Sequence, residues 1–64
     1  MCESTLYLEE GGHVHEQMRE VARIVFEGDT ATVTDVVGER IVLEHVSVKE
    51  INFLSHGVVL RKKA

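Results

Sequence analysis

The 64 residues (7.2 kDa) include one cysteine and no proline; 44% are hydrophobic and 28% charged, for a formal net charge of −4. A chain this short buries only about 60% of its unfolded surface and usually needs disulfides, a metal or a second subunit. The lone Cys2 closes no intrachain bridge, which leaves metal, oligomer or both.

Residues 4–8 alternate, with Leu6 and Leu8 on one face and Thr5 and Tyr7 on the other. Glu9-Glu10-Gly11-Gly12 reads as a turn. Residues 13–20 fit either state: Val14, Met18 and Val21 fall at i, i+4 and i+7, as in a helical turn, yet a short strand fits as well. Residues 21–26 are rich in β-branched side chains, with Ala22, Ile24 and Phe26 on one face and Arg23 on the other. A hairpin turn across Glu27-Gly28-Asp29 leads into residues 30–34, with Ala31 and Val33 inward. A turn around Gly38 precedes a strand at 40–43. Residues 46–53 form another, whose apolar phase slips near Lys49-Glu50 and predicts a β-bulge. After a turn at 55–57, residues 58–61 complete the set.

Five or six short strands joined by tight turns predict a mainly β fold. The expectation is a small antiparallel SH3-like or Sm-like barrel or curled sheet, with room for one short helical turn, and residues 1–64 as a single small β-barrel domain. Ile24, Phe26, Ala31, Val33, Ile41, Leu43, Val48, Ile51 and Leu60 are the expected interior. Tyr7, Val25, Val42 and Val59 are expected to face outward, and an apolar outer face calls for a partner, most economically a second copy.

Charge and hydropathy narrow the partners. Residues 1–27 hold Glu3, Glu9, Glu10, Glu16, Glu20 and Glu27 against Arg19 and Arg23, whereas residues 28–64 balance. Nucleic-acid affinity comes mostly from Lys and Arg on phosphates, so RNA is a disfavoured partner. No apolar run nears the roughly 20 residues of a membrane span, and no cationic-then-apolar leader is present. The expected location is cytoplasmic, where a thiol stays reduced.

The residue richest in chemistry is Cys2. Cysteine is small enough for removal of the initiator Met1; the freed α-amine and the thiolate then form a five-membered chelate on one ion. Two chains would supply two amines and two thiolates, a donor set that suits nickel(II) or copper(II) better than tetrahedral zinc. From spacing alone, a second-position cysteine with no paired motif is more often an accident of sequence. His13-x-His15 is the other candidate: in a strand both imidazoles face one way, in a helical turn they diverge. Such pairs are more often simply solvated, and His45 and His56 read as isolated turn histidines. Glu9-Glu10 reads as a solvated turn, and no P-loop, GxSxG, HExxH or CxxC occurs, so the chain is not expected to be an enzyme.

With these residues in view, the sequence resembles the CooT family of small nickel-binding proteins, accessory factors for maturing nickel-containing carbon monoxide dehydrogenase. The resemblance rests on Met1-Cys2-Glu3, then Val21-Ala22 leading into Ile24-Val25-Phe26-Glu27-Gly28-Asp29. It continues through Thr34-Asp35, Gly38-Glu39, Val48-Lys49-Glu50-Ile51-Asn52 and Ser55-His56-Gly57-Val58-Val59-Leu60. It implies a homodimeric SH3-like or Sm-like barrel, with Ni(2+) bound through Cys2 of each chain and a nickel enzyme as acceptor. The alternative is a metal-free barrel that binds RNA or protein through Arg40, Lys49, Arg61 and Lys62.

Overall fold

The computed structural model describes residues 3–64, and among these there is no helix. The strands are β1 (Thr5–Glu10), β2 (His13–Met18), β3 (Val21–Glu27), β4 (Thr30–Asp35), β5 (Arg40–Leu43), β6 (Val46–Asn52) and β7 (Gly57–Lys62). They form two sheets, one ordered β2-β1-β7-β6 and the other β3-β4-β5. The mainly β expectation holds, but the two sheets stay open rather than closing into one barrel. The helical turn allowed for residues 13–20 does not form.

Most pairings are antiparallel neighbours in sequence, as tight turns dictate. The exception is β1 with β7, which run parallel with Leu6 opposite Val58 and Leu8 opposite Leu60. This pairing puts β7 between β1 and β6, so Leu60 is flanked by Leu8 on one side and Val48 on the other. The resulting row is apolar and central, and Leu60 is fully buried.

The core comprises Leu6, Leu8, Ala31, Val33, Val46 and Leu60, with Met18, Val21, Ile24, Ile41, Leu43 and Val58 packed against it. It draws on both sheets. In the three-stranded sheet the inward rows are Ile24–Val33–Ile41 and Phe26–Ala31–Leu43, while Val25–Thr32–Val42 faces out. Tyr7 and Val59 pair on the outer face of the other sheet. A bulge at Ala22 resets the phase of β3, so Val21 joins the core and Ala22, expected beside Ile24, is exposed. The bulge expected near Lys49-Glu50 lies between Val48 and Glu50. It returns Ile51 to the core side, opposite Val58.

Three residues expected in the interior are not covered. Phe26 is 41% exposed, Val48 45% and Ile51 51%, although their register partners are the buried Ala31 and Leu60 and the packed Val58. They point toward the core side of their sheets and are left uncovered there by the other described residues. Openness, not a wrong face, is the cause.

The corners between the sheets are left-handed. Glu20 (φ 53°) turns β2 into β3 and His45 (φ 60°) turns β5 into β6. Backbone bonds hold these joints: the Val21 amide donates to Ser4 (2.9 Å), Val36 to Glu20 (2.9 Å), Val46 to Asp29 (3.0 Å) and Lys63 to His45 (2.7 Å). Histidine enters this region more readily than most side chains, which accounts for its use at a corner.

Candidate metal centre

Cys2, the ligand implied by the resemblance, lies outside the described residues. What is described is the scaffold it leads into. The Thr5 amide donates to the His56 carbonyl (2.9 Å), which starts the β1–β7 pairing. Ser4 and His56 line a recess of about 250 Å³ together with Ile51, Asn52, Phe53, Gly57 and Val58. The wall is mostly apolar and continues to the uncovered Ile51. His56 itself takes a left-handed backbone (φ 58°), and the Asn52 carboxamide oxygen shapes the turn before it by accepting from the Leu54 and Ser55 amides (both 2.9 Å).

His13 and His15 lie on β2, a strand at the edge of its sheet. They share a face, with His15 opposite Leu8 and His13 opposite Glu10, and their ring centroids are 6.3 Å apart. His45 and His56 sit at separate corners, as expected of turn histidines. Among the described residues no three His, Cys, Asp or Glu side chains converge as a ready-made metal cluster.

Sequence reasoning missed the role of Glu9. It belongs to β1 rather than to a turn, and its carboxylate is flanked by Lys49 and, at 3.0 Å, by Arg61. The Lys49 hydrogen bond, aided by the neighbouring Arg61, holds the Glu9 carboxyl below the usual carboxylate range against the partial desolvation that would raise it. A sequence signal did exist, in the alternation of Tyr7 and Glu9 on one face, but the pairing with β7 that brings up Arg61 is 52 residues distant. Asp29 is likewise held low by Lys63, whose Nζ donates at 2.6 Å. Lys62 donates to the Glu44 carbonyl (2.9 Å).

These contacts bear on the nucleic-acid alternative. Of the basic residues it names, Lys49 and Arg61 share one carboxylate and Lys62 is tied to the backbone.

Two open sheets with exposed apolar side chains on the core side define a small all-β protein. The chain belongs to the CooT family: the family model "CO dehydrogenase accessory protein CooT" matches residues 1–61. The family is thus one of accessory proteins to an enzyme. In structure, the chain is similar to a crystal structure assigned to CooT of Carboxydothermus hydrogenoformans, with TM-score 0.84, 16% identity, and coverage of 98% of this chain and 100% of that one. At that identity the likeness speaks for the fold. No curated protein matches the chain in sequence.

Proposed function

We propose that this chain is a nickel(II)-binding metallochaperone for maturing a nickel enzyme such as carbon monoxide dehydrogenase. It acts as a cytoplasmic homodimer, with the cargo ion held between the two Cys2 residues. The observation that carries this reading is the family match, which starts at residue 1 and so takes in Cys2. The chemistry of the donors agrees: two thiolates with two nitrogens complete a four-coordinate nickel site. One chain alone leaves that site half filled, so metal binding and association reinforce each other.

The exposed, core-side Phe26, Val48 and Ile51 support the dimer, because a second copy would cover them. Ser4, two residues beyond Cys2 in the sequence, lines the same recess as Ile51, which supports a metal site working beside that apolar surface. Thiolate ligands exchange readily with the thiolates of an acceptor, which suits delivery. Discrimination against copper, the tighter-binding ion, then comes from supply and partner rather than raw affinity.

Native mass spectrometry with and without nickel(II) tests the proposal. The expected species is a dimer carrying one nickel, with no nickel retained by Cys2→Ser. Equal nickel uptake by that variant would overturn the site.

A further inference from the structure

The geometry points to a second divalent metal site, formed by His13 and His15 and separate from Cys2. Residues two apart in a strand project from the same face, and β2 is a strand throughout this stretch. Their rings stand 6.3 Å apart, centroid to centroid, with planes inclined by 34°. Two imidazoles on one tetrahedral ion with metal–nitrogen bonds of about 2.0–2.1 Å put their centroids about 5 Å apart. A modest adjustment of χ1 closes the remaining gap, and rotation about χ2, a broad torsion for histidine, aims the ring nitrogens at the ion.

The position of the pair argues in the same direction. Met18, His15 and His13 lie on the core-facing row of β2, since their partners are Leu6, Leu8 and Glu10. Met18 packs on the core, but the row then runs out into solvent, where both histidines are exposed. Folding therefore makes no demand for imidazole at these two places. Because β2 is hydrogen-bonded to β1 alone among the described strands, its outer edge gives an ion open access. Glu10, across the strand pair from His13, adds negative charge on the same face.

The site takes an imidazole-preferring first-row divalent ion, with water in the remaining positions, since no third side chain converges there among the described residues. Such an open, two-ligand site exchanges readily. It would hold an ion on the same molecule without drawing on either Cys2.

Zinc(II) is a suitable probe because it is diamagnetic. Full-length Cys2→Ser protein is titrated with zinc(II) at pH 7.5, followed by calorimetry and by the imidazole nitrogen signals in NMR. Zinc is expected to bind with shifts at His13 and His15 and none at His45 or His56. His13→Gln and His15→Gln should each weaken binding at least about tenfold, a difference of 1.4 kcal/mol. Failure of the Cys2→Ser protein to bind zinc, or an affinity unchanged in both glutamine variants, would overturn the site. Neither result touches the Cys2 proposal, which the nickel experiment decides by itself.

Discussion

Glu9 shows how a carboxylate at a strand end becomes a joint. It sits on β1 and accepts from Lys49 of β6 and Arg61 of β7, so one side chain clamps three of the four strands of its sheet. Because its folded-state acidity is raised, its contribution to stability is present above the ordinary carboxylate range and is lost as pH falls through its lowered pKa. Glu9→Gln should therefore melt at a lower temperature than the parent at pH 7 and low salt. The gap should shrink below about pH 4, where unfolded carboxylates also protonate. Thermal melts at pH 7 and pH 3 check the sign. Leu60→Ala acts through packing instead: truncating a fully buried side chain costs about 2–5 kcal/mol. A chain of this size holds roughly 3–10 kcal/mol in all, so urea titration should find the variant largely unfolded or nearly so.

At the scale of elements, turns and bulges decide which face each side chain meets. The β4–β5 turn is set by Asp35, whose Oδ1 accepts from the Val37 (3.0 Å) and Glu39 (2.9 Å) amides, and by Gly38 at φ 92°. A Cβ at Gly38 would meet no atom within 4 Å, so Gly38→Ala isolates the backbone cost. The expected loss is about 1–2 kcal/mol, read as a lower urea midpoint with unchanged slope. Much of this was legible in the sequence. The β-branched run at 21–26, the Gly28-Asp29 break and the phase slip at Lys49 each carry a local cause, and the observed strands follow them closely. β2 was not legible because only Val14 and Met18 are apolar in it, and an edge strand with one neighbour and a solvated end needs no clean alternation. The parallel union of β1 and β7 was also invisible. Nothing local records a pairing between segments some 50 residues apart, and with it went the partners of Glu9. As for the candidate site, Cys2 was legible only as a residue type, whereas the common face of His13 and His15 depended on the state of β2.

For the molecule as a whole, the question is what two thin, open sheets do with their remaining apolar surface. Phe26, Val48 and Ile51 point toward the core side and stay half exposed. If a second copy covers them, Phe26→Asp combined with Val48→Asp should convert the dimer to monomer in sedimentation velocity. The β signature in circular dichroism separates dissociation from unfolding. A double variant that stays folded and dimeric would place the contact elsewhere, for instance on the outer Val25–Thr32–Val42 row.

The parallel pairing of β1 with β7 also sets a timetable. During synthesis the hairpin of β3 and β4 can close as soon as it emerges, since its partners are adjacent in the chain. β1 can pair with β2 as readily, but its other edge must wait, because the strand that fills it is β7, the last to leave the ribosome. Joining segments so far apart is slow relative to local pairing. The edge of β1 that receives β7 therefore stays open until the last strand emerges, and the bond from the Thr5 amide to the His56 carbonyl is among the last to close.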